Sequence, residues 1–101
     1  MSVIKVDYGS IEGQVSENAG YVLEDVTLVN GVPYVINLEV DTPTFIRITN
    51  YMGADADNGN CYYDGTWHDQ SRYTLPKSLS GNVLTLTSNQ YTSYKYSVCY
   101  K

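Results

Sequence analysis

The stretch from Ala54 to Asp69, ADADNGNCYYDGTWHD, gathers the side chains best suited to chemistry: Asp55, Asp57, Cys61, Asp64 and the only His, His68. Three chemistries could use them. The first is cation binding through Asp55 and Asp57. A helix-flanked calcium loop needs Gly at its sixth position and Glu at its twelfth. Counted from Asp55, Gly59 comes one place early and Thr66 stands where the Glu should be. Only an irregular Ca²⁺ site remains, against the simpler reading of a solvated turn built from Asp, Asn and Gly. The second is a thiol nucleophile, Cys61 with His68 as its base. The third is zinc held by Cys61, His68 and Cys99. Neither has the spacing that makes such signals strong, because there is no C-x-x-C and no second His. No Gly-rich phosphate loop, H-E-x-x-H or G-x-S-x-G occurs either. The expectation is a non-enzymatic chain with no catalytic residue, no metal ligand and no cofactor.

The second half of the stretch reads as a hairpin. A two-residue turn at Asp64-Gly65 would pair Tyr63 with Thr66, Tyr62 with Trp67, and Cys61 with His68. Tyr62 and Trp67 would then share one face as a cross-strand aromatic pair. With Tyr73 they would form a platform for a sugar ring or another surface, since aromatic rings give flat contact area at low entropic cost.

The elements that must position these groups are strands. Period-two alternation recurs along the chain, and no segment repeats apolar residues at helical spacing. YVINLEV puts Tyr34, Ile36, Leu38 and Val40 on one face. TFIRIT does so with Ile46 and Ile48, leaving Arg47 opposite. NVLTLTS turns Leu84 and Leu86 inward. SYKYSVCY sets Tyr94, Tyr96, Val98 and Tyr100 against Lys95, Ser97 and Cys99. YVLEDVTLV and SVIKVDY are further strands. The spacing predicts an all-β fold, a small antiparallel β-sandwich of jelly-roll or Ig-like type with about 6–8 strands.

Turn chemistry marks the joints at Asn30-Gly31, Asp41-Thr42-Pro43, Ser80-Gly81-Asn82 and around Tyr91. Asn30-Gly31 raises a conflict of phase. A two-residue hairpin there would set Thr27 opposite Tyr34 and Asp25 opposite Ile36, and a one-residue slip flips every side chain. Either a bulge restores the phase, or the chain crosses between two sheets. Pro33, which removes a ladder donor, favours the crossing.

Residues 9–20, GSIEGQVSENAG, are small, polar and Gly-spaced, as a linker or loop is. The expected organisation is an N-terminal strand at 1–12, able to dock on another chain, a linker at 13–20 and one sandwich at 21–101. That strand can pair at home or be lent to the sheet edge of another chain. Home pairing is the default.

The 101 residues suffice for one core and not two. A net charge of −5 argues against nucleic-acid partners, which require a basic patch. No apolar run approaches a membrane span of roughly 20 residues. MSVIKVDYGS lacks the basic and apolar regions of a signal peptide, so the expected place of synthesis is a cytosol. Cys61 and Cys99 are expected to stay reduced there, with a disulfide as the alternative after release. Eleven Tyr against one Phe, seven of them between Tyr62 and Tyr100, suit strands and surfaces that must be both apolar and wet.

The opening SVIKVDYGSIEG, followed by VPYVINLEV, TFIRITN, CYYDGTW, NVLTLTS and SYKYSVCY, resembles small β-sandwich accessory proteins from tail modules of phages and prophages of Gram-positive gut bacteria. The resemblance implies a virion protein of the tail, baseplate or capsid decoration, with Val3, Ile4, Val6 and Tyr8 as its docking residues. Its partners would be other virion proteins and a host-surface glycan, with homo-oligomers compatible. It implies no enzymatic residue. Two other expectations stand beside it: a carbohydrate-binding module using Tyr62, Trp67 and Tyr73, and a cytosolic inhibitor of a host defence protein. The inhibitor would need its acids clustered on one face, and in the sequence they are spread.

Overall fold

A computed structural model describes residues 3–7, 19–52, 58–88 and 94–101. Tyr8, Asp55, Asp57, the turn around Tyr91 and most of the expected linker lie outside these residues. Among the described residues the chain forms nine strands and no helix. They are β1 (Val3–Asp7), β2 (Ala19–Leu28), β3 (Tyr34–Asn37), β4 (Ile46–Met52), β5 (Cys61–Tyr63), β6 (Trp67–Asp69), β7 (Lys77–Ser80), β8 (Val83–Leu86) and β9 (Tyr94–Tyr100). A six-stranded sheet runs β1-β2-β9-β4-β5-β6, and a three-stranded sheet runs β3-β8-β7. All strand pairs are antiparallel.

The alternating residues build the core between the sheets. Leu23, Val26, Leu28, Ile46, Ile48, Tyr96, Val98 and Tyr100 from the large sheet meet Ile36, Leu84 and Leu86 from the small one, with Leu38 and Leu75 from the flanking loops. All are buried. Removing such side chains from water is the main favourable term for a domain of this size.

Both ways out of the phase conflict are used. The chain crosses from β2 in the large sheet to β3 in the small one, so β2 and β3 never pair. Inside β2, Leu23 faces Val98 and Val26 faces Tyr96, which leaves one extra residue on the β2 side. This bulge at Glu24-Asp25 keeps Leu23, Val26 and Leu28 all on the core side. Asp25 takes φ 58°, a left-handed conformation that Asp tolerates better than most residues.

β1 pairs at home, with β2, from Val3↔Leu23 to Asp7↔Ala19. It is the end strand of the large sheet. The β5–β6 hairpin corrects the expected register. Tyr63 pairs with Trp67, Tyr62 with His68, and Cys61 with Asp69. Thr66 joins Asp64 and Gly65 in a three-residue loop closed by the Asp64 N–H donating to Thr66 O at 3.2 Å. Gly65 supplies φ 117° there.

Candidate functional site

The outer face of the large sheet carries the candidate site. Residues paired directly across strands share a face, so the register defines a row: Val22 on β2, Cys99 on β9, Arg47 on β4, Tyr62 on β5 and His68 on β6. Ile4 of β1 occupies the next position beyond Val22. Val22, Cys99 and Phe45 form a small apolar cluster on this face, with Tyr62 packed against it. The Tyr62 ring stacks on His68 with centroids 4.5 Å apart and planes 15° apart. On its other side the Arg47 guanidinium lies 5.2 Å from the ring centroid, and Phe45 lies at 6.2 Å. Arg47 Nη1 donates to Gln70 Oε1 at 2.9 Å. His68 Nε2 lies 2.9 Å from Asp64 Oδ1 and 3.2 Å from Thr66 Oγ1. Guanidinium, phenol and imidazole thus form one stacked tier, half-buried at Tyr62 and His68.

A second feature lies at the β2 bulge. Glu24, Asp25, Tyr51 and Ser97 line an open concavity of about 390 Å³. The Tyr51 hydroxyl donates to the Asp25 carboxylate. That bond to a carboxylate, before any burial, holds the Tyr51 hydroxyl above the usual phenol range.

The expected platform is split. Tyr62 looks outward in the tier, whereas Trp67 and Tyr63 look inward and pack against the main core. Tyr63 is the ring partner of Trp67, at 5.2 Å and 53°. Lys77 Nζ lies 5.2 Å from the Trp67 ring, and it donates to Asp69 Oδ1 at 2.6 Å and to Leu75 O at 3.0 Å. Tyr73 is exposed beside Arg72, in the loop between β6 and β7.

The thiol alternatives are corrected by strand parity. Cys61 is fully buried on the core side of β5, and burial pushes its thiol up to about 11. His68 stands on the opposite face, so no imidazole can take the Cys61 proton. Cys99 also faces outward, and no disulfide joins the two thiols. Neither a disulfide nor a zinc set from Cys61, Cys99 and His68 follows from this geometry. Among the described residues no three His, Cys, Asp or Glu side chains gather as metal ligands.

Sequence reasoning passed over Arg47, Gln70 and Phe45. The lone basic residue between Ile46 and Ile48 was the available signal for Arg47. The Tyr51–Asp25 bond joins residues 26 apart and has no local signature. The chain matches no family model, no curated protein and no solved structure.

Proposed function

We propose that this chain is a non-enzymatic accessory protein of a phage virion, at the tail, baseplate or capsid surface, acting in assembly and surface contact. The observation that carries the reading is the position of β1. It ends the large sheet: one of its edges is paired to β2, and among the described residues no strand pairs with the other, which is where a partner strand would add. The order of strands in the sequence, with its resemblance to phage tail-module proteins, supports the same reading. A net charge of −5 keeps many displayed copies soluble.

The test is mass spectrometry of particles purified through a density gradient from a culture producing the phage. The chain is expected in the particle band at fixed ratio to the major virion proteins. A chain without residues 1–12 is expected to stay behind in the soluble fraction. A particle band free of the full chain would overturn the reading.

A second reading, glycan contact, is favoured by the outer tier. Tyr62 and His68 offer ring faces with polar tips, the pairing that sugar sites use. Glycan arrays with Tyr62→Ala and Trp67→Ala separate the two faces. Loss with Tyr62→Ala alone supports the outer tier. Binding indifferent to Tyr62→Ala removes it.

A further inference from the structure

Four strands end a sheet: β1 and β6 in the large one, β3 and β7 in the small one. Natural edges are usually blunted by charge, because an open row of N–H and C=O groups invites another strand. β1 holds Lys5 and Asp7, β6 holds Asp69, and β7 holds Lys77. β3 holds neither acid nor base, and the run from Val29 to Leu38 holds none either. The same run contains three of the most exposed apolar residues, Val29 at 50% and Val32 and Val35 each at 56%.

The hydrogen-bond phase of β3 is fixed by its neighbours. Leu38 N–H donates to Asn82 O at 2.8 Å, continuing the ladder in which Ile36 faces Leu84 and Tyr34 faces Leu86. Antiparallel ladders alternate, so these residues turn their backbone groups toward β8. Val35 and Asn37 turn theirs the other way, to the edge that no strand among the described residues pairs with. The run of open groups is bounded at both ends. Pro33 has no N–H to offer. The Glu39 N–H already donates to the Tyr100 hydroxyl at 3.1 Å.

We infer that β3 is the interface for a second copy of this chain, pairing antiparallel with its own twofold mate about Ile36. In that register Val35 of each copy faces Asn37 of the other, and every open N–H and C=O of the two residues finds a partner. Shifting the register by two in either direction brings in Pro33 or Glu39 and loses bonds. Charge favours a second copy as the occupant. Two chains of net −5 repel wherever their acids approach; β3 and β7 are the end strands without an acid, and of the two only β3 is also without a base and exposes a large apolar residue, Val35 at 56%. Pairing would join two three-stranded sheets into one of six, equal in strand number to the sheet each packs upon. The surface is separate from the β1 edge, so it neither needs nor replaces the virion reading.

The test is amide exchange by NMR on the full chain, with sedimentation on the same samples, from about 10 μM to about 1 mM. The expected result is a mass that rises toward the dimer, with exchange at Val35 and Asn37 slowing at least tenfold as it does. Val35→Lys is expected to give a folded monomer, since the side chain it replaces is exposed and lies outside the core. A monomer at every concentration would overturn the proposal. So would a dimer in which the Val35 and Asn37 amides exchange as fast as in dilute solution. The wild-type amides give a result even if the variant fails to fold.

Discussion

Two residues set the tolerance of the core. Gly59 has φ 82°, and a Cβ there would lie 2.7 Å from the Tyr96 hydroxyl and 2.9 Å from its ring. Tyr96 cannot retreat, because it is fully buried and its hydroxyl donates to the Asn58 carbonyl at 3.2 Å. Gly59→Ala therefore meets both backbone strain and overlap. Denaturant melts are expected to show a loss of about 2 kcal/mol or more. The amide of Asn58 is best oriented with its nitrogen toward the Tyr96 hydroxyl. That hydroxyl then donates to the backbone carbonyl and accepts from the side chain, and the buried NH₂ is satisfied. Cys61 gives a pH signature. Its thiol is raised to about 11 by burial, so in the folded protein it stays protonated when the unfolded chain has begun to ionise near 9.0. The unfolded state then holds fewer protons, and stability falls as pH climbs between those values. The loss is about 2–3 kcal/mol by pH 11. Cys61→Val should remove that part of the alkaline slope in urea melts, and a disulfide reagent should leave native Cys61 unmodified at pH 8. Rapid modification there would contradict the burial.

At the scale of elements, the bulge in β2 makes a sharp prediction. Deleting Asp25 would bring Leu23 and Val26 into plain alternation, still on the core side, so the variant should fold and lose about 1–2 kcal/mol at most. Deleting Thr27, two residues on, would turn Leu28 out of the core, with a loss of about 3 kcal/mol or more. Circular dichroism melts of the two deletions compare them directly. Equal losses would mean that the bulge is not what keeps phase. The strands that alternate large apolar residues, β4, β8 and β9, were legible in the sequence because period two is a direct imprint of a half-buried sheet. The crossing after β2 was legible from the clash of phases and from Pro33. The register of β5–β6 was not, since Asp64-Gly65 serves a two-residue turn and a three-residue loop equally well. That single step moved Trp67 to the other face and divided the aromatic platform. β7 escaped notice because KSLS offers one apolar residue, Leu79, and the buried Lys77 that holds it in place looks in sequence like a solvated charge.

For the whole molecule, both sheets close on one core, and Trp67 packs at its rim from the large sheet. Unfolding should be a single event. Trp67 fluorescence and far-ultraviolet circular dichroism are expected to give the same urea midpoint, and separated midpoints would mean that the small sheet melts alone. The two cysteines, finally, look out of opposite sides of one sheet. A fold so arranged cannot bond its two thiols to each other within one chain, whatever the surrounding redox potential. Its shape, and its shelf of outward rings, therefore owe nothing to a bond between them.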